Sequence, residues 1–324
     1  MPVALREIVA TLRQSRGIAA KRDIASVAAR LALSTDSPIA VGDDCAAIPD
    51  GEGYLLLAIE GFINEFVARD PWFAGWCGVM VNVSDVAAMG GRPLAVVDAM
   101  WADGDDKAAP LLAGLRAAAA AYGVPLVGGH TNLRTDRGQL AVAILGRARR
   151  LLTSFDARPR DRLIAAIDLR GAYREPFANW EAATDAPPAR LRADLELLPA
   201  IAESGLAVAA KDISQGGVVG TAMMFAECSR LGVTIDIGRV PKPDTVALER
   251  WLQTFPSYGY LLAVSEGNVP AVLGRFEGRG IAAADCGVFT AEPRVMLRDG
   301  DRAETLWDFG REPLIGCARV EAFA

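Results

Sequence analysis

Apolar residues recur every three or four positions in several stretches of the chain, a spacing that is typical of helices, while short apolar runs between glycine, proline or charge predict buried strands. Leu5, Ile8, Val9 and Leu12 form one such helical stripe. Helices are predicted at 3–15, 21–33, 72–89, 105–122, 216–230, 244–253 and 268–278. Strands are predicted at 39–41 (bracketed by Pro38 and Gly42), 54–59, 94–101, 124–127, 139–145, 163–167, 206–210, 233–237, 260–264 and 281–289. Both halves mix helices and strands in comparable order, which predicts two α+β units.

A polar, proline-containing break at residues 158–161 (RPRD) separates the two halves. The predicted domains are therefore residues 1–157 and 158–324, each long enough to enclose its own core. Residues 173–190 are rich in proline, alanine and charge, and they are predicted to form an insertion or a surface loop.

Composition narrows the function classes. The chain is 52% hydrophobic and 23% charged with a net charge of −6, which is typical of a globular protein and disfavours nonspecific binding to nucleic acid or an anionic membrane. Its five cysteines form no CxxC pair, and no apolar run is long enough to span a bilayer. A cytoplasmic protein without nucleic-acid or membrane partners is predicted. P-loop and HExxH motifs are absent from the sequence.

Carboxylates stand among very small residues in two segments. Asp43 and Asp44 are adjacent, and Asn82 and Asp85 are three apart on one helical face, while Glu60 ends a predicted strand. Buried carboxylates need a positive partner, and a hard divalent cation that also carries substrate phosphates would supply it. These residues therefore predict a magnesium–nucleotide site. The alternative makes Asp85 an exposed helix residue and Asn82 its helical neighbour.

A glycine pair follows another predicted strand at residues 128–132 (GGHTN). Gly128 and Gly129 would permit close approach of phosphate oxygens, and His130 is the only histidine. His130 is thus a candidate for phosphate contact or proton transfer. The alternatives are an ordinary tight turn and a structural histidine.

The second half has a counterpart at residues 211–217 (KDISQGG). Asp212 ends a predicted strand, and Ser214 and Gln215 precede the N-terminus of a predicted helix, whose N–H groups favour an anion. The alternative is that Asp212 or Ser214 only caps that helix.

Taken together and in their order along the chain, the acidic, glycine-containing and KDISQGG segments resemble the AIR-synthetase-like ATP-binding superfamily, over about residues 20–300. That superfamily includes aminoimidazole ribonucleotide synthetase, thiamine-monophosphate kinase, selenophosphate synthetase and a carbamoyl dehydratase of hydrogenase maturation. The resemblance implies a two-domain α+β fold, N-terminal domains paired in a homodimeric β-barrel, and ATP with Mg²⁺ in an acidic cleft. It implies metal-binding roles for Asp43, Asp44, Glu60, Asp85 and Asp212, nucleotide contacts for Asp43, Asn82, Gly128, Gly129, His130, Ser214 and Gln215, and catalytic roles for Asp85, His130 and Asp212.

Residues 42–46 (GDDCA) and 82–90 (NVSDVAAMG) are most similar to thiamine-monophosphate kinase. The chain departs from that kinase at residues 58–60, where Ala-Ile-Glu replaces Thr-Thr-Asp, at residues 67–68, and at His130 and Gln215, which replace aspartates. The predicted function is Mg²⁺-dependent transfer of the γ-phosphoryl group of ATP to a small-molecule acceptor. The alternatives are ATP-driven activation of an amide oxygen, as in AIR synthetase or the dehydratase, a nucleotide-binding partner protein that has lost catalysis, and acidic clusters that are merely solvated.

Overall fold

The computed structural model describes residues 4–31 and 39–316. Its helices are α1 (Leu5–Arg13), α2 (Arg16–Leu31), α3 (Asn64–Arg69), α4 (Pro71–Ala88), α5 (Asp105–Tyr122), α6 (Pro188–Leu195), α7 (Leu197–Glu203), α8 (Gly217–Cys228), α9 (Leu248–Trp251) and α10 (Val269–Glu277). Its strands are β1 (Ala46–Asp50), β2 (Gly53–Phe62), β3 (Gly91–Asp103), β4 (Leu126–Asn132), β5 (Arg134–Ala148), β6 (Arg162–Ile167), β7 (Ala172–Tyr173), β8 (Asn179–Glu181), β9 (Ala209–Asp212), β10 (Gly232–Asp236), β11 (Phe255–Pro256), β12 (Gly259–Val264), β13 (Ala282–Thr290), β14 (Arg294–Asp299) and β15 (Arg302–Asp308).

These elements form two compact units, and each unit is assembled from separate stretches of chain. Unit 1 takes its described residues from Met1–Asp43, Leu152–Ala182 and Ser204–Ala324, and unit 2 consists of Asp44–Leu151 and Ala183–Glu203. The chain thus passes from unit 1 to unit 2 between the two adjacent aspartates. The division into sequence domains at 157/158 stays a prediction.

Unit 2 is built on a five-stranded sheet in the order β1-β2-β5-β3-β4. Only the β3–β4 pair is parallel. Helices α4 and α5 pack against one another and against one face of this sheet. Alternation along β2 shows the two faces, because Leu56 is buried under the helices while Leu57 and Ile59 are 48% and 68% exposed on the opposite face.

Unit 1 contains a seven-stranded sheet in the order β15-β14-β10-β13-β6-β12-β9 and a small three-stranded sheet, β11-β8-β7. Every residue of α8 is buried in this unit. The predicted stripe of α1 is confirmed, since Leu5, Ile8, Val9 and Leu12 are all buried in the core of unit 1.

Three element predictions are wrong. Residues 39–45 are irregular and the strand begins at Ala46, so the predicted strand before the aspartates is absent from the described part of that segment, while Pro38 lies outside it. The helix predicted at 244–253 is only the single turn α9. The surface-loop alternative for residues 173–190 is also wrong, because β8 carries Trp180, which is 6% exposed and donates from Nε1 to the Asp168 carbonyl at 3.2 Å. The insertion alternative stays a prediction.

Candidate functional site

Asp44 and Asp85 lie together in unit 2. Helix α4 begins at Pro71, with the Asp70 carboxylate accepting from the Phe73 N–H at 3.3 Å, and it carries Asp85 in its last turn. Asp85 is 4% exposed, and one carboxylate oxygen of Asp44 and one of Asp85 lie within 4.8 Å of each other. Two like charges repel, and the negative end of the α4 dipole adds to that repulsion. The pair therefore favours a cation, and oxygen donors suit Mg²⁺.

One turn before Asp85, the side chain of Asn82 is fully buried between α4 and β5. Its Nδ2 donates to the Gly78 carbonyl at 2.8 Å and to the Val142 carbonyl at 3.0 Å. These two donations fix the orientation of the amide. Its Oδ1 is then a buried acceptor that has no hydrogen-bond partner among the described residues. Buried polar atoms nearly always have partners, so this oxygen points to a water or ligand.

Two further carboxylates flank Val142 in the sheet. Glu60 on β2 and Asp98 on β3 are both register partners of Val142 on β5. Directly paired residues of antiparallel strands present their side chains on the same face. Val142 faces α4, because a Cβ built on Gly78 would lie 2.7 Å from its Cγ2. Glu60 and Asp98 therefore share the face on which α4 lies.

Asp98 was not among the site residues predicted from the sequence. Burial raises the pKa of its carboxyl above the ordinary value. The available signal was a single acidic residue inside the apolar run 94–101 (LAVVDAMW). In a strand that alternates between faces, such a residue resembles an ordinary solvent-facing position, so the pattern alone gave no reason to select it.

Gly128, Gly129 and His130 lie within strand β4, so the alternative of an ordinary tight turn is wrong. The segment has an extended backbone that pairs in parallel with β3, and neither glycine has a positive φ. The glycine at 129 serves a close approach instead, because a Cβ there would lie 2.4 Å from Oδ1 of Asp98. His130 is exposed and its ring centroid lies 5.7 Å from that of Trp101. Its predicted part in catalysis and phosphate contact stays a prediction.

Asp43 belongs to unit 1, where its side chain is fully buried. Its Oδ2 accepts from the Ser154 N–H at 2.7 Å, and its Oδ1 accepts from the Ser154 hydroxyl. The buried Lys211 places Nζ 3.8 Å from Oδ1 of Asp43 and 3.5 Å from Oγ of Ser154. The structure thus gives Asp43 an internal ion pair, with which the metal and nucleotide contacts predicted for it would have to compete.

The other predicted residues of unit 1 follow Lys211 directly. Asp212 ends β9 and is 4% exposed, and Gln215 is exposed. The N-cap of α8 is Gly216, without a side-chain capping bond. The interpretation of Asp212 or Ser214 as a mere cap of that helix is therefore wrong. Ser214 instead donates its N–H to Oγ1 of Thr221 at 3.2 Å. The metal and nucleotide roles of these residues remain predictions.

In the described ranges, 4–31 and 39–316, we find no helix with the length and apolar character that a membrane span requires. The cytoplasmic location stays a prediction.

Comparison with known proteins identifies the family. Residues 42–148 match the model of the AIR synthase related protein, N-terminal domain, and residues 174–300 match that of its C-terminal domain. An uncharacterized Synechocystis protein is 44% identical over 96% of this chain and 98% of its own length. An uncharacterized Methanocaldococcus jannaschii protein is 35% identical over 97% and 99%. A thiamine-monophosphate kinase of Methanospirillum hungatei is 28% identical over 69% of this chain and 80% of the kinase.

Solved structures share the fold. Thermotoga maritima PurL complexed with ATP matches with a TM-score of 0.71 at 20% identity, over 86% of this chain and 47% of the PurL chain, so this chain spans about half the length of PurL. AaThiL complexed with AMPPCP and TMP matches with a TM-score of 0.65 at 19% identity, over 87% of this chain and 95% of AaThiL. The resemblance drawn from the motifs is confirmed, and the chain belongs to the AIR synthase related family, with the two-domain α+β fold of that family.

Proposed function

We propose that this protein is a magnesium-dependent enzyme that transfers the γ-phosphoryl group of ATP to a small-molecule acceptor. The observation that carries the proposal is the Asp44–Asp85 pair, in which a carboxylate oxygen of Asp44 lies within 4.8 Å of one of Asp85, in the last turn of α4. Phosphoryl transfer depends mainly on positioning and on stabilising developing charge, and a metal ion held by such a pair would contribute to both.

Asp44 and Asp85 are the proposed metal ligands in unit 2, with Glu60 nearby on β2 as a further carboxylate. The remaining assignments rest on the family resemblance: Asp43 and Asp212 at the metal, Asn82, Gly128, Gly129, Ser214 and Gln215 at the nucleotide, and His130 at the phosphates or in proton transfer. Because His130 and Gln215 stand where the kinase has aspartates, the metal site carries less negative charge than in the kinase.

Relatives support nucleotide use and leave the acceptor open. One relative is named a thiamine-monophosphate kinase, and the similar PurL structure contains ATP. The acceptor would be a phosphate ester, as the kinase name suggests, or an amide oxygen that phosphorylation activates for loss.

Calorimetry with ATP, in the presence and absence of Mg²⁺, followed by ³¹P NMR of ATP mixed with thiamine monophosphate and simple amides, tests this function. We expect Mg²⁺-dependent binding and formation of ADP. A phosphorylated product supports the kinase reaction, whereas release of inorganic phosphate that depends on an amide supports the amide-activating alternative. Binding without turnover would favour a nucleotide-binding partner protein, and absence of ATP binding would overturn the proposal.

The helix-free face of the unit 2 sheet supports the homodimer that the family resemblance implies. Leu57, Ile59, Val97, Val127 and Leu145 are 38–68% exposed there. A contiguous apolar face of this kind marks an interaction site, and we propose that a second copy covers it, as in the implied β-barrel.

Replacing Ile59 with aspartate should convert the dimer to a monomer, because a charge would be buried without a partner at the interface. Sedimentation equilibrium measures the mass. The matched control is Leu112→Asp, since Leu112 is 45% exposed on α5, away from this face, and should leave the dimer intact. A monomeric wild-type protein, or an unaltered Ile59→Asp dimer, would contradict the proposed interface.

A further inference from the structure

Asp98 is a half-buried carboxylate that the structure provides with no counterion. Among the described residues it forms no ion pair and no side-chain hydrogen bond with another residue, and its one bond is to its own backbone N–H. A carboxylate removed from water in this way is costly unless something supplies a positive charge or hydrogen-bond donors.

Strand β4 lies directly against this carboxylate. Oδ1 of Asp98 lies 2.4 Å from the position that a Cβ on Gly129 would take, so any side chain at 129 would collide with it. At the preceding Gly128, a Cβ would meet nothing within 4 Å. Glycine at 129 thus lets the Asp98 carboxylate lie against the exposed edge strand, while the open position at Gly128 is on the opposite face of the sheet, with its register partner Val97.

A second acceptor belongs to the same place in the fold. The Asn82 amide is held on the Val142 carbonyl, and Val142 is the register partner of Asp98 on the neighbouring strand. Oδ1 of Asn82 is buried and has no partner within the described part of the chain. Two acceptors that receive no hydrogen bond from another residue, one of them charged, call for a ligand that donates hydrogen bonds and carries positive charge.

A divalent metal fits this position less well than a nitrogen donor does. Metal sites in proteins gather several ligands around one point, and Asp98 belongs to no group of three metal-binding side chains whose ligand atoms converge, within the residues that the structure describes. An ammonium or amino group needs only one carboxylate and one amide oxygen to satisfy its N–H donors.

We propose that Asp98 and Oδ1 of Asn82 form a subsite that binds a protonated amino group of the acceptor substrate. This assignment rests on the proposed function, because it concerns the acceptor of that reaction. It places Asn82 at the acceptor and not at the nucleotide, as the family resemblance implied. The acceptor is then a small molecule with a cationic nitrogen, and Asp98 contacts that nitrogen directly.

Methylammonium is a suitable probe, since it carries the proposed group and nothing else. Crystals of the wild-type protein soaked in methylammonium chloride should show its nitrogen at hydrogen-bond distance from the Asp98 carboxylate and from Oδ1 of Asn82. Saturation-transfer NMR in solution should show a methyl signal that decreases at least fivefold in Asp98→Asn. The matched control is Asp103→Asn, an exposed aspartate on the same strand, which should leave that signal unchanged.

Calorimetry with Mg²⁺ and ATP on the same Asp98→Asn protein separates this inference from the proposed function. Nucleotide affinity should stay within about twofold of wild type, which also shows that the variant is folded. Equal methylammonium signals in wild type and Asp98→Asn, a bound water as the sole occupant after soaking, or a Mn²⁺ peak on Asp98 in Mn²⁺-soaked crystals would each overturn the subsite. Failure of the wild-type protein to bind ATP would overturn the proposed function and leave the methylammonium result to be judged by itself.

Discussion

The Asp85→Asn protein is expected to lose Mg²⁺-dependent ATP turnover by a factor of about 100 or more, the scale on which one preorganised electrostatic group contributes to catalysis. An amide keeps the shape of the side chain and removes its charge. Asp44 would then be the one charged member of the pair left to hold the metal, and the charge on the transferred phosphoryl group would be poorly offset. Turnover is measured as ADP formation at saturating ATP over a range of Mg²⁺ concentrations.

Thermal unfolding gives a second readout that a merely structural aspartate would not produce. Without Mg²⁺, Asp85→Asn should unfold at the same temperature as wild type or higher, because it removes repulsion between carboxylates within 4.8 Å of each other. Mg²⁺ should raise the unfolding temperature of wild type but not of the variant, since a ligand stabilises only the state that binds it. Asp136→Asn, at a side chain that is 86% exposed, is the control. Unchanged turnover in folded Asp85→Asn would refute the metal assignment.

Replacing Lys211 with methionine should lower the free energy of unfolding by about 3–5 kcal/mol, the usual cost of removing one partner of a buried ion pair. Asp43 would keep its bonds to Ser154 but lose the ammonium group at 3.8 Å, and its side chain has no exposure to water. Urea unfolding followed by circular dichroism measures the change.

The double variant Lys211→Met/Asp43→Asn tests the cause. Removing both charges should recover much of the lost stability, because the penalty comes from taking the Lys211 ammonium group away from the buried Asp43 carboxylate and not from the other lost lysine contacts. Lys107→Met, at an exposed position in the first turn of α5, should change stability by no more than about 0.5 kcal/mol. If the double variant is as unstable as the single one, the pair does not act as described.

Strong periodicity and clear end signals explain the elements that the sequence predicted well. Helix α5 has the predicted bounds, 105–122, since glycines stand just outside both of its ends. The helix predicted at 244–253 is longer than α9. Residues with helix-forming composition make a stable helix mainly where an apolar face packs against the core, and that packing does not continue beyond α9. The short strand β8 was missed because its few residues depend on pairing with β7 and β11, which no local pattern shows.

The residues of the candidate site could be predicted only where the residue type and its local sequence surroundings both indicated a site. Asp44 and Asp85 attracted attention as acidic residues in apolar surroundings, and the structure brings them together. Asp98 depends on register, since its significance comes from being opposite Val142 and beside Gly129 on other strands. The glycine pair was equally ambiguous in the sequence. A close approach between strands and a tight turn both require glycine, so the sequence alone left the tight turn open as an alternative.

The discontinuous make-up of unit 1 has a consequence for synthesis on the ribosome. The buried stripe of α1 packs against β15, where Arg6 pairs with Glu304 at 2.7 Å, 298 residues later in the chain. At about 5–20 residues per second, the helix made first waits on the order of 15–60 s for its partner strand. Unit 2 is complete once Glu203 has been made, so it can fold while the apolar face of α1 is still uncovered. During translation, the apolar face of that nascent helix is therefore open to aggregation until β15 has been made.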